Sequence, residues 1–96
     1  MKSIEQAEAD IRAVLRDHGR LAQDAGALAC DSDLYQAGMT SHASVNVMLA
    51  LEGKFDVEFP DRMLKRSVFA SVDAIRSALA ELGAVAESAD AQIAQA

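Results

Sequence analysis

Residues 38–60 read GMTSHASVNVMLALEGKFDVEFP, and they contain the strongest indication of the fold in the sequence. The run from Ser41 to Phe55 is the most apolar of the chain, and Pro60 closes it. At about 100° per residue, one arc of a helix collects the residues of a core stripe. That stripe consists of Val47, Met48, Leu51 and Phe55. We therefore predict an amphipathic α-helix from Ser41 to Phe55.

The same helix has more apolar residues than one core face needs. His42 and Leu49 fall almost opposite the core stripe, and Val45 lies between them and its edge. Two interpretations stay open at this point. The second stripe either faces a partner, or the helix is central and packed on both sides.

The remainder of the chain supplies further helices and one long connection. Ser3 and Ser71 are positioned as N-caps, and Gly19 and Gly83 as stops, of a first and a last helix. Pro60 to Lys65 predicts a short helix, because proline is favoured at the first helical position. Residues 20–40 form a long loop. We expect its apolar residues to pin it to the core, namely Leu21, Leu28, Leu34 and Tyr35.

Composition limits the fold class and the possible partners. A chain of 96 residues with 51% apolar and 4% aromatic residues is one domain, and its Ala- and Leu-rich core favours helices. We predict an all-α domain over residues 1–83, with residues 84–96 as a tail that extends a helix or is flexible. The net charge of -6 argues against nucleic acid. No apolar run is long enough to span a membrane.

The single cysteine indicates the compartment. Cys30 cannot form an internal disulfide, and residues 1–10 are wrong for a signal peptide, so we expect a cytoplasmic, monomeric protein. We interpret Cys30 as a packed small hydrophobe. One cysteine and two scattered histidines give no metal-ligand spacing, so no metal site is expected.

Ser41 lies where the long loop enters the predicted helix. The N-terminus of a helix stabilises a phosphate through its free N–H groups and its dipole. Gly38, three residues earlier, permits tight backbone geometry there. The alternative is that Ser41 is only an N-cap, which is the usual role of a serine before a helix. Ser41 and His42 are adjacent on the helix and do not face each other, so they do not form a nucleophile and base pair.

The decisive stretch resembles the acyl carrier protein family. Gly38-Met39-Thr40-Ser41, the run Val47-Met48-Leu49-Ala50-Leu51-Glu52 and the element Phe55-Asp56-Val57-Glu58-Phe59-Pro60 match the serine motif, second helix and Phe-to-Pro element of that family. The resemblance implies a four-helix bundle with a long loop between helices 1 and 2 and a short third helix. It further implies a carrier without catalytic groups and 4′-phosphopantetheine covalently attached to Ser41, flanked by Gly38, Thr40 and His42.

Departures from the family pattern narrow the resemblance. Thr40 and His42 replace the Asp and Leu that usually flank the modified serine, and residues 62–66 are basic where fatty-acid carriers are acidic. This pattern is closer to stand-alone aminoacyl carrier proteins, which an ATP-dependent amino acid:[carrier protein] ligase loads with an aminoacyl thioester. The alternatives are a carrier for a fatty-acid or secondary-metabolite pathway and an unmodified helical interaction module.

The resemblance also implies partners and the residues that meet them. The partners are a phosphopantetheinyl transferase, the cognate ligase and a downstream acceptor enzyme. The candidate partner-binding residues are His42, Val45, Asn46, Leu49, Glu52, Arg62, Lys65 and Arg66. The acids Glu52, Asp56, Glu58 and Asp61 otherwise constitute a solvated acidic face.

Overall fold

The computed structural model describes residues 3–22 and 24–85. In this part of the chain the regular elements are all helical, which confirms the predicted all-α class. The α-helices are α1 (Ile4–His18), α2 (Ser41–Phe55) and α3 (Val72–Glu81), and 3-10 turns occupy Ala25–Ala27, Asp61–Met63 and Arg66–Phe69.

Helix boundaries follow the capping residues of the sequence. The Ser3 hydroxyl accepts from the Gln6 N–H at 3.2 Å, and the Gln6 side chain accepts from the Ser3 N–H at 3.3 Å, a reciprocal capping box. The Ser71 hydroxyl accepts from the Ala74 N–H at 3.0 Å and begins α3. The predicted positions of the first and last helices are therefore correct.

The core lies between the three α-helices. Helix α1 packs against both α2 and α3. The fully buried large side chains are Ile11, Leu15, Leu34, Met39, Val47, Leu51, Val72, Ile75, Leu79 and Val85. Val85 lies beyond the predicted boundary at Gly83 and is only 1% exposed, so the core includes a residue of the predicted tail. Residues 86–96 lie outside the described residues.

The segment between α2 and α3 differs from the predicted short helix. The turn Asp61–Met63 stops because Leu64 has φ -86° and ψ 63°, which is outside the helical region. A second 3-10 turn, Arg66–Phe69, follows. The Phe59 and Phe69 rings meet edge to face, with centroids 5.3 Å apart, and hold this segment against the core.

The connection between α1 and α2 is more ordered than a structureless loop. It contains the turn Ala25–Ala27, whose Ala25 carbonyl accepts from the Arg12 guanidinium at 2.6 Å. Backbone hydrogen bonds then join the connection to the start of α3. The Leu34 N–H donates to Ala70 O at 2.7 Å, and the Asp73 N–H donates to Cys30 O at 2.9 Å.

Candidate functional site

The first turn of α2 separates the capping residue from the serine that follows it. Thr40 is extended, with φ -84° and ψ 167°, and its Oγ1 accepts from the Ala43 N–H at 3.0 Å. Ser41 is therefore the first helical residue, and the interpretation of Ser41 as the N-cap is wrong. Its side chain is exposed and makes no hydrogen bond within the described residues. A nucleophilic hydroxyl is thus presented at the positive end of the α2 dipole.

Gly38 fixes the approach of the chain to Ser41. Its φ is +120°, and a Cβ at this position would lie 2.9 Å from the backbone N of Ala22. The Ala22 N–H donates to Ala37 O at 2.8 Å. The close approach therefore occurs where the two ends of the connection lie side by side and are hydrogen-bonded. Only glycine satisfies both the backbone conformation and the space.

Three of the four residues of the predicted core stripe of α2 are buried: Val47 and Leu51 completely, and Phe55 with 8% exposure. Met48, the fourth, is only half-buried and lines a surface groove, so its assignment to the core is wrong. On the other side, Val45 is 51% and Leu49 55% exposed. The alternative of a central helix packed on both sides is therefore wrong. His42 is also exposed, and Asn46 is half-buried.

A groove of about 340 Å³ runs beside Ser41. One wall is the edge of α2, and the other is the segment from Leu64 to Phe69. Its lining residues are Tyr35, Ser41, Ser44, Val45, Met48, Leu64, Lys65, Arg66 and Phe69. We call this the Ser41 groove. Leu64 is 48% exposed beside it, a position that sequence reasoning did not single out.

The structure divides the basic segment 62–66 into two parts. Lys65 and Arg66 line the Ser41 groove, and the Arg66 guanidinium lies 3.8 Å from the centroid of the Tyr35 ring. Arg62 does not line the groove. It approaches Glu81 of α3 at 3.7 Å, and both side chains are largely exposed.

Glu52 has a structural contact that the prediction of a solvated acidic face did not include. Its Oε2 accepts from the Phe59 N–H at 2.9 Å. The chain reverses at Asp56, whose φ is 55° in the left-handed region, and the reversal brings the Phe59 amide back to α2. Glu52 therefore joins the end of α2 to the segment that carries Pro60.

A polar cluster on α1 was also missed. The Cys30 thiol donates to Glu8 Oε1 at 3.1 Å, and Arg12 donates to the same oxygen at 3.0 Å. The interpretation of Cys30 as a packed hydrophobe is thus incomplete. The hydrogen bond to Glu8, together with burial, raises the pKa of the Cys30 thiol, and the same bond and the Arg12 guanidinium lower the pKa of Glu8. The only sequence signal was the i, i+4 spacing of Glu8 and Arg12.

Two further features are absent from the residues that the structure describes. Within 3–22 and 24–85, no three His, Cys, Asp or Glu side chains are grouped so that they could hold a metal ion. No helix in these ranges is long and apolar enough to cross a membrane.

Comparisons with known proteins point to one family. The family profile described as "Phosphopantetheine attachment site" matches residues 10–79. The chain is 48% identical over 67 residues to an aminoacyl carrier protein of Agrobacterium fabrum strain C58, covering 70% of this chain and 81% of that protein.

Two of the similar solved structures are also carrier proteins, each in complex with a ligase. One similar chain occurs in the crystal structure of an engineered Bradyrhizobium japonicum glycine:[carrier protein] ligase complexed with a carrier protein from Agrobacterium tumefaciens and AMP. The TM-score is 0.74 at 44% identity, over 76% of this chain and 97% of that one. Another occurs in the crystal structure of the Bradyrhizobium japonicum ligase complexed with glycylated carrier protein. There the TM-score is 0.66 at 26% identity, over 76% of this chain and 97% of the other.

Proposed function

This chain belongs to the family of carrier proteins with a phosphopantetheine attachment site, and we propose that Ser41 holds the phosphopantetheine arm. The protein is a carrier of the aminoacyl type and not an enzyme. When bound, the arm supplies a thiol on which an aminoacyl group is held as a thioester. The observation that carries the assignment of Ser41 is its exposed hydroxyl, which Thr40 leaves unused at the start of α2.

The residues around Ser41 fit a phosphodiester on its oxygen. Thr40 completes the cap, so that modification of Ser41 removes no hydrogen bond from α2. Gly38 lets the backbone take a φ of +120° three residues before the hydroxyl, where an added Cβ would meet the Ala22 amide nitrogen. His42 is exposed next to Ser41.

The identity of the cargo is supported by the similar proteins and not by the fold. Similar carriers occur in complexes with a glycine:[carrier protein] ligase, one of them glycylated. We extend this to an ATP-dependent amino acid ligase as the loading partner of this chain, followed by a downstream acceptor enzyme. A phosphopantetheinyl transferase would attach the arm. The alternatives, a fatty-acid carrier or an unmodified interaction module, have no comparable support.

The surface proposed for these partners is the exposed stripe of α2. Val45 and Leu49 are large apolar side chains, each more than half exposed on one face of α2, and a partner that covered them would remove that apolar surface from water. His42 and Asn46 extend the stripe. Arg62 lies 3.7 Å from Glu81 of α3 with both side chains largely exposed, whereas Glu52 is held by the Phe59 amide and so contributes less to binding.

The finer features of the architecture are also proposals. The two 3-10 turns, Asp61–Met63 and Arg66–Phe69, stand in the place of the short third helix of a four-helix bundle. The division into a carrier domain, residues 1–83, and a tail, residues 84–96, needs adjustment for the buried Val85. With one cysteine that is not in a disulfide, the chain suits a cytoplasmic monomer.

Intact mass after co-expression with a phosphopantetheinyl transferase tests the proposal. Wild type and Ser44→Ala should each gain one phosphopantetheine, and Ser41→Ala should gain none. Ser44 is the matched control because it lies in the same turn and lines the same groove. An unmodified wild type, or modification that survives Ser41→Ala, would contradict the assignment. Incubation of the modified chain with a ligase, ATP and single amino acids then identifies the cargo by a second mass gain that hydroxylamine removes.

A further inference from the structure

Lys65 and Arg66, which line the Ser41 groove, form no ion pair with any of the described residues. Both side chains are exposed. Most other Lys and Arg side chains in these ranges lie 3.0–3.9 Å from a carboxylate oxygen, namely those of Arg12, Arg16, Lys54, Arg62 and Arg76. An acidic chain, with a net charge of -6, therefore leaves two adjacent cations unneutralised beside Ser41.

The surroundings of these two cations are also poor in carboxylates. No Asp or Glu among the described residues lines the groove, and the first turn of α2 contains none. The Arg66 guanidinium lies 3.8 Å from the centroid of the Tyr35 ring. Because that ring is uncharged, the contact orients Arg66 and leaves its charge intact. Both charges are thus free to attract an anionic group from outside the chain.

Exposed apolar side chains adjoin the two cations. The exposed large apolar residues in the described ranges are Val45, Leu49 and Leu64. Val45 and Leu64 line the groove, and Leu49 follows Val45 one turn later on α2. Leu64 directly precedes Lys65 in the chain. We call these three apolar residues, together with Lys65 and Arg66, the docking patch.

We infer that the ligase that loads this chain meets the docking patch with an apolar recess bordered by carboxylates. This inference rests on the proposed function and adds the chemistry of the partner surface. Protein interfaces combine apolar centres with polar rims, and complementary charge across the rim speeds encounter and fixes orientation. The three apolar residues supply the first part here, and Lys65 and Arg66 supply the second.

Other occupants fit the docking patch less well. A nucleic acid would be repelled by the net charge of -6, and it would leave the exposed apolar residues without a complement. A second copy of the chain, paired symmetrically through this patch, would bring the cations of both copies together. An enzyme with a basic surface would face the same repulsion, so the patch also discriminates among enzymes.

Loading kinetics of the full chain test the inference. Wild type, Lys65→Glu, Arg66→Glu and the double variant are first converted completely to the phosphopantetheinylated form, as verified by intact mass. Loading is then measured with ATP, the amino acid and the ligase that give wild type its second mass gain.

The expected result is a loss in kcat/KM that depends on salt. At about 0.1 M salt, where the Debye length is about 10 Å, each single variant should lower kcat/KM at least about threefold, and the double variant at least about tenfold. The value of kcat should stay nearly unchanged, because charge complementarity at a rim acts mainly on encounter. At about 1 M salt, where the Debye length is about 3 Å, the differences should largely disappear.

Lys54→Glu is the matched control. It gives the same net charge as Lys65→Glu, and Lys54 is also exposed. Lys54 lies about 20 Å from Ser41 along α2, at about 1.5 Å per residue, which exceeds the Debye length of about 10 Å at about 0.1 M salt. Its kcat/KM should therefore equal that of wild type. Circular dichroism and urea denaturation verify that every variant is folded.

Several results would overturn the inference. Unchanged loading of the double variant would show that the ligase does not contact the two cations, and faster loading would show that its surface is basic. Equal losses for Lys54→Glu and Lys65→Glu would assign the effect to net charge. Losses that persist at about 1 M salt, or that appear in kcat alone, would exclude electrostatic docking. Failure of the proposed function is distinct, because wild type itself would then gain no arm or no aminoacyl group.

Discussion

Thr40 caps α2, and Ser41 does not. The Oγ1 of Thr40 accepts from the Ala43 N–H at 3.0 Å, so the neighbouring Ser41 hydroxyl has no structural task within the described residues. Thr40 therefore stabilises the helix, and the Ser41 hydroxyl can be esterified without loss of the cap.

The first prediction compares these two residues. Thr40→Ala should lower the free energy of unfolding by about 0.5–2 kcal/mol, the usual cost of removing an N-cap side chain. Ser41→Ala should change it by less than about 0.5 kcal/mol, because the hydroxyl makes no hydrogen bond to lose. Urea denaturation of the unmodified proteins measures both values. A loss for Ser41→Ala as large as that for Thr40→Ala would mean that the two hydroxyls share the cap.

The second prediction concerns two glycines. Gly38→Ala should destabilise the fold by about 1–3 kcal/mol, since its φ of +120° is unfavourable for alanine and its Cβ would meet the Ala22 amide at 2.9 Å. Gly53→Ala, in the interior of α2 with nothing within 4 Å of the added Cβ, should stabilise it by about 0.4–1 kcal/mol. Thermal and urea unfolding measure the change in the free energy of unfolding, which should be opposite in sign for the two variants. Equal effects would contradict the described backbone at Gly38.

The third prediction separates the two faces of α2. Leu51→Ala should cost about 2–5 kcal/mol, because Leu51 is completely buried and the change leaves a cavity. Leu49→Glu should leave stability within about 0.5 kcal/mol of wild type, since Leu49 is 55% exposed, but should slow loading by the cognate ligase.

Ser77→Glu is the control for this pair, because it adds the same charge at an exposed position on α3. Loading is followed as the rate of the second mass gain on the modified chain. If Leu49→Glu and Ser77→Glu load at equal rates, the exposed stripe of α2 is not the ligase surface.

The fourth prediction concerns the thiol on the first connection. The hydrogen bond to Glu8 raises the pKa of Cys30, so the reactive thiolate is scarce at pH values near the ordinary thiol pKa of about 8.5. Glu8→Gln removes the negative acceptor and leaves Arg12, which favours the thiolate. The midpoint of the iodoacetamide rate–pH profile should therefore move to lower pH. Glu5→Gln, an exposed acid one turn away, should leave the profile unchanged.

The helices could be predicted from sequence because their determinants are local. Ser3 and Ser71 precede periodic apolar runs, and hydrogen-bond the third residue of the helix that follows. The second stripe of α2 could be predicted for the same reason, since a helical wheel needs only the geometry of one element. The resemblance to carrier proteins rested on this same contiguous region.

The groove could not be predicted, because it is built from three segments distant in sequence. Tyr35, Met48 and Leu64 meet only because backbone hydrogen bonds set the connection against the start of α3 and because Leu64 leaves the helical region. The hydrogen bond from the Phe59 amide to Glu52 could not be predicted for a similar reason. Its role depends on the left-handed turn at Asp56, and nothing in an acidic residue on a helix surface indicates which amide will return to it.

The two backbone hydrogen bonds between the first connection and α3, Leu34 to Ala70 and Asp73 to Cys30, have a kinetic consequence. They join the part of the chain that carries Tyr35 to the residues that follow Phe69, so we expect the two bonds to open together. The amide protons of Leu34 and Asp73 should then exchange with solvent through a single cooperative opening with one shared free energy, rather than by independent fraying.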